Sequence, residues 1–213
     1  MSKVKPLYAA LLVAILALIV YALYVNYVHD PQASEFLSRK AGLKRALNTS
    51  VWLNVKNVHV AFACLALAAG AVNFSERLRV RRRTFHRVNG YVYVTAVLLV
   101  VITSGYMAPF ATGGKATSMA FNLLNLLWPF MTVWAVIQIR KKRMNEHRRW
   151  MVRSFAFCFT NVTIHSLAFL LHQGLGVAYS NSYTMAVYGT IVLLLAAAEL
   201  VIRKGMRIPS RKR

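Results

Sequence analysis

Residues 145–172 read NEHRRWMVRSFAFCFTNVTIHSLAFLLH. A basic opening runs into a predominantly apolar stretch long enough, at about 1.5 Å per helical residue, to cross about 30 Å of hydrocarbon. Within it lie two imidazoles, His147 and His165. An ionisable side chain at such depth is costly unless it is partnered or functional. The stretch therefore sets the fold class and raises the question of function together.

Runs of the same kind occur at about residues 6–28, 51–74, 86–109, 117–138, 148–172 and 183–202. They predict an all-α polytopic membrane protein of six transmembrane helices, forming a single membrane domain over residues 1–213. Residues 29–50 make a loop on the outer side with room for a short surface helix. The chain has 213 residues, 58% of them hydrophobic, and a formal net charge of +22 with five acidic residues. That balance would also suit a nucleic-acid binder, but almost every Lys and Arg lies between or beyond the apolar runs. The run RLRVRRR, residues 77–83, sits between two spans, where topology explains it, so no nucleic-acid partner is expected. The partner that the composition demands is the lipid bilayer.

Positive charge accumulates on one side of that bilayer. The connections 75–87 and 139–149 and the tail 203–213 carry six basic residues each, whereas Lys115 stands alone in its connection and residues 173–183 carry none. Cytoplasmic loops retain Lys and Arg during insertion, which predicts that both termini are cytoplasmic and that the protein is a multi-pass protein of the cell membrane. Arg39, Lys40, Lys44 and Arg45 dissent on the outer side without outweighing the rest. The first span has too long an apolar run for a secretory signal and reads as an uncleaved anchor. Cys64 and Cys158 both fall in spans and imply no disulfide framework.

The histidines fall at two depths. His59 is eight residues from the outer start of the second span, and His165 is seven from the outer end of the fifth. His86 and His147 each open a span at the cytoplasmic boundary. Along one unbroken helix the eighteen residues from His147 to His165 make about five whole turns, so both project from one face, about 27 Å apart. Two axial imidazoles on facing helices are what the iron of a b-type haem requires. The expected metal ligands are thus His59 with His165 and His86 with His147, holding one or two haems b. Gly90, four residues beyond His86, offers room for a porphyrin edge or for close helix packing. Arg153, inside the fifth span, and Lys56, one turn before His59, are candidate partners for haem propionates; Lys56 is equally suited to snorkelling. His172 shares a face with His165 and stands in reserve, and His29 lies at an interface. Glu199 is spaced to pair with Arg203 on its own helix. Asn122 and Asn125 are suited to bonding between helices.

The pattern His86-Arg-Val-Asn-Gly90-Tyr91, followed by His147-Arg-Arg-Trp150-Met151-Val-Arg153-Ser154, resembles a bacterial family of multi-span membrane proteins known only as a domain of unknown function. The resemblance covers the second to fifth spans, about two thirds of the chain. It implies a bacterial inner membrane location and no particular activity. In architecture the chain is also similar to the six-helix, two-haem cytochromes b that pass electrons from ascorbate across membranes. Those cytochromes draw one histidine from each of four helices, whereas here the fourth span gives none and the fifth gives two.

The resulting expectation is a b-type cytochrome that transfers electrons across the membrane, with a quinol near Arg153 or another small redox partner. Two alternatives stay open. One is a non-haem protein in which the same imidazoles hold zinc, copper or iron; the other is a non-catalytic scaffold or assembly factor whose histidines bond between helices. As a cytochrome it would be an oxidoreductase that depends on haem for electron transfer.

Overall fold

A chain with this much apolar surface must satisfy its backbone internally wherever lipid surrounds it, and helices do so within one segment. The computed structural model describes residues 4–38 and 46–205, and these are helical with no strand among them. Six described segments are long and apolar enough to cross a membrane: Tyr8–His29, Thr49–Asn73, Arg83–Phe110, Gly114–Arg140, Met144–Gly174 and Tyr179–Lys204. The protein is therefore an all-α, multi-pass membrane protein, and its spans follow the apolar runs to within a few residues at each end. Leu126 and Val192 are each 70% exposed and Ile102 is 67% exposed, outward apolar surface of the kind that lipid tails cover. Arg39, Lys40, Lys44 and Arg45 and the last eight residues lie outside the described residues.

The chain divides into two compact units, Met1–Ala111 and Thr112–Arg213. The first holds α1 (Val4–Tyr24), which passes through a π-turn at Val25–His29, then a five-residue surface helix α2 (Ser34–Ser38), α3 (Thr49–Asn73), α4 (Glu76–Arg81) and α5 (Arg83–Met107). Helices α3 and α5 form its core. Ala66, Ala69, Gly70 and Ala71 on α3 are buried, as are Tyr93, Ala96 and Val97 on α5, so small side chains let the two backbones approach. At the end near Asn73, Asn89 Nδ2 donates to Ala69 O at 2.8 Å and to Asn73 Oδ1 at 2.9 Å. Helix α1 joins this pair through Tyr8, whose hydroxyl donates to Ala71 O at 2.9 Å. At the other end, α2 packs over the unit: Phe36 stacks on buried Trp52 with centroids 5.8 Å apart, beside Phe110 and Ala33.

The second unit holds α6 (Gly114–Arg140), α7 (Met144–Ala156), α8 (Thr160–Phe169) and α9 (Tyr179–Gly205). Helix α9 packs against all three others. The fifth span is not one helix. A 3-10 turn at Phe157–Phe159 separates α7 from α8, and a π-turn at Leu170–Gly174 closes the span. At the break, Thr160 Oγ1 donates to Phe157 O at 2.7 Å and Thr163 Oγ1 to Phe159 O at 2.9 Å, so hydroxyls occupy carbonyls where the helical ladder is interrupted. Helix α6 carries Pro129, which takes away one backbone donor. Nearby, Thr132 and Ser154 exchange a fully buried hydroxyl bond of 2.7 Å between α6 and α7.

Candidate functional site

The four candidate ligands are placed by the helices just described, two in each unit. In the first unit His59 lies ten residues into a span that begins at Thr49, and His86 lies three residues into one that begins at Arg83. In the second, His147 is three residues into a span that begins at Met144, and His165 is nine residues from its end at Gly174. Counted from the span ends, His59 at ten residues is close to His165 at nine, and His86 and His147 are both at three.

His59 is built into the α3–α5 contact. Its Nδ1 lies 3.2 Å from Val100 O and 3.0 Å from Thr103 Oγ1. A carbonyl only accepts, so Nδ1 carries the proton and the neutral ring keeps its lone pair on Nε2. The Thr103 hydroxyl is itself aimed by its bonds to Leu99 O at 2.7 Å and Val100 O at 2.9 Å. His147 repeats the device on α7, with Nδ1 2.8 Å from Ala135 O of α6. His172, in the π-turn, has Nδ1 2.8 Å from Val177 O. Three imidazoles among the described residues thus carry the proton on Nδ1 and the lone pair on Nε2. Metal-bound histidines are commonly oriented this way, through the ring nitrogen that does not ligate.

His86 is half-buried in the first turn of α5. His165 is exposed on α8 and meets Tyr183 of α9 edge-on, with centroids 6.3 Å apart. Tyr183 in turn lies 6.1 Å from Tyr179, which meets His172 at 5.6 Å, so the imidazoles of this end of the second unit share one aromatic cluster. The turn at Phe157–Phe159 changes the relation between His147 and His165. A 3-10 segment advances about 120° per residue against about 100°, so three residues add roughly 60°. The one-face arithmetic of an unbroken helix does not carry across the span, although the depth difference does.

The neighbouring polar residues have partners of their own. Lys56 is buried at 7% exposure, and its Nζ donates to Asn26 O at 3.2 Å and Pro31 O at 3.3 Å, which satisfies carbonyls at the end of α1. Arg153 Nε donates to Glu199 Oε1 at 2.6 Å, and its guanidinium lies 4.5 Å above the Trp150 ring. Glu199 therefore pairs across helices α7 and α9 rather than along α9 with Arg203, because a bond to guanidinium nitrogen stacked on an aromatic face is the better-ordered choice. A Cβ at Gly90 would meet Asn73 Nδ2 at 3.4 Å, so the space beside this glycine is taken up by helix packing. Asn125 Nδ2 is buried without a hydrogen-bond partner, and Asn122 is exposed. Cys64 and Cys158 form no disulfide.

Neither the tautomers of His59 and His147 nor the cross-helix pairing of Arg153 was signalled by the residues themselves. The acceptors are backbone carbonyls, which every residue supplies. No three His, Cys, Asp or Glu side chains converge as a metal-holding group among the described residues.

No curated protein and no solved structure matches the chain. The family model described as "Predicted membrane protein (DUF2306)" matches residues 57–202, which takes in His59, His86, His147, His165 and His172 and leaves out α1 and Lys56. That match covers more than half of the chain, and the chain belongs to this family of multi-span membrane proteins.

Proposed function

We propose that this chain is a membrane-bound b-type cytochrome that moves electrons across a bacterial plasma membrane, with both termini cytoplasmic. His59 and His165 would hold one haem toward the outer face, and His86 and His147 a second toward the cytoplasmic face. The observation that carries the reading is the anchoring of Nδ1 on backbone carbonyls at His59 and His147, one at each depth, which leaves Nε2 to ligate. The pairing follows the counts from the span ends, ten residues for His59 against nine for His165 and three for both His86 and His147. Haem, when bound, supplies the one-electron chemistry. The protein's own part is to hold the ring nitrogens in the ligating tautomer, to keep the site in an apolar environment and to space the two levels about 21 Å or more apart, the rise of the fourteen residues of α5 from His86 to Val100.

Lys56, Arg153 and Gly90 contribute less than their positions suggest, since each is already engaged in packing or pairing. A quinol is the redox partner we assign to the neighbourhood of Arg153, where Glu199 offers a carboxylate to receive a proton. Undiminished quinol-dependent reduction in Arg153→Ala would remove that partner from the account.

The scaffold reading draws on the same bonds, because His59 ties α3 to α5 and His147 ties α7 to α6. An absorption spectrum of the protein purified in detergent separates the readings. The cytochrome shows a Soret band that shifts on dithionite reduction. Bound zinc, copper or iron without that band would establish a non-haem site, and neither signal would leave the scaffold.

A further inference from the structure

The corner between α4 and α5 concentrates charge in a way that the histidine sites do not use. Residues 75–87 hold six basic residues and one acidic residue. That acid, Glu76, is engaged by Arg79 at 3.3 Å. Arg82 has φ −131° and ψ 65°, which breaks the helix and turns the chain from α4 into α5. Arg81, Arg82 and Arg83 are exposed at this bend and Arg87 is exposed one turn further on. Among the described residues no carboxylate lies within ion-pair distance of Arg81, Arg82 or Arg83.

Beside them stand exposed apolar side chains, Val80 at 59%, Phe85 at 47% and Val88 at 54%. The corner joins two candidate spans, Thr49–Asn73 and Arg83–Phe110, so it lies at the boundary between hydrocarbon and headgroups. A cluster of unpaired guanidinium groups flanked by apolar side chains at that level matches one kind of partner, a lipid with a negative headgroup and tails beside it. Guanidinium forks also fit phosphate oxygens in a bidentate manner.

We propose that the α4–α5 corner is a binding surface for anionic phospholipid, with Arg81, Arg82, Arg83 and Arg87 on the headgroup and Val80 and Phe85 against the acyl chains. The surface is independent of any haem. Its affinity rests on net charge, so it falls as ionic strength rises.

The test is native mass spectrometry of the full chain in detergent, titrated with phosphatidylglycerol or phosphatidylcholine. Wild type retains phosphatidylglycerol in preference to phosphatidylcholine. The variant Arg81→Gln/Arg82→Gln/Arg83→Gln loses that preference by about fivefold per arginine. The variant Arg81→Lys/Arg82→Lys/Arg83→Lys, which keeps the charge, retains most of it and guards against a folding defect. Equal retention of the two lipids by wild type, or an unchanged preference in the glutamine variant, would overturn the proposal. Retention of an oligonucleotide by wild type in preference to phosphatidylglycerol at equal charge would overturn it too and assign the patch to nucleic acid.

Discussion

His59 shows how much a single residue's environment decides. An imidazole in a membrane must either be neutral and bonded or be paired, and here Val100 O and Thr103 Oγ1 hold one nitrogen while the other is left to act. The position of the histidine was readable from the chain, but its orientation was not, since the accepting carbonyl lies 41 residues away. If His59 ligates iron, Thr103 is a positioning residue. Thr103→Val keeps the shape, removes one bond to Nδ1 and lowers haem affinity by about tenfold, measured by haem retention during dilution, with thermal stability nearly unchanged. The cross-helix pair of Arg153 with Glu199 was hidden for a different reason. Arg203 offered a local partner at helical spacing, and local spacing says nothing about a neighbour 46 residues off. Asp30 illustrates a pH dependence outside the spans. The Ser34 hydroxyl and the amides of Ser34 and Glu35 donate to its carboxylate, which holds its pKa below the ordinary 3.8. A lowered carboxylate pKa adds stability that is complete above the unfolded value and is lost as pH falls through the folded one. Amide exchange across Ser34–Ser38 should accordingly speed up below about pH 4 beyond its intrinsic pH dependence, and Asp30→Ala should show the faster exchange at neutral pH.

At the scale of the helix, length and composition were sufficient to locate the six described segments that are long and apolar enough to cross a membrane, because about 20 apolar residues have few other uses. The interruption of the fifth span left no mark. Phe157, Cys158 and Phe159 contain neither Gly nor Pro, and the break depends on Thr160 and Thr163 taking up carbonyls. Packing between elements gives two measurable energies. The buried hydroxyl pair of Thr132 and Ser154 joins α6 to α7, and a double-mutant cycle with Thr132→Val and Ser154→Ala should return a coupling of about 0.6 kcal/mol, near the average for such bonds in membranes. A coupling near zero would mean that the contact is incidental. Gly113 precedes α6 with φ 91°, and a Cβ there would run into the hydroxyls of Thr117 and Thr184, which bond to one another at 2.6 Å. Gly113→Ala should therefore lower stability by about 1–3 kcal/mol, seen as a reduced midpoint of thermal unfolding in detergent.

Across the whole chain the recurring feature is that, besides His29 and His172 at span ends, each compact unit carries one imidazole three residues into a span and one nine or ten residues from a span end: His86 and His59 in Met1–Ala111, His147 and His165 in Thr112–Arg213. The position of each residue along its span was legible, since it needs only a count from a span end. The division into two units was not, because every connection between spans reads alike as a polar or basic interval. What the protein does turns on whether residues of equal depth act together. The direct measurement is haem content per chain in wild type and in the four single variants His59→Ala, His165→Ala, His86→Ala and His147→Ala. The account predicts two haems in wild type, with the first two variants losing the same haem and the last two losing the other. A wild type without haem, or four variants that keep the wild-type content, would contradict it.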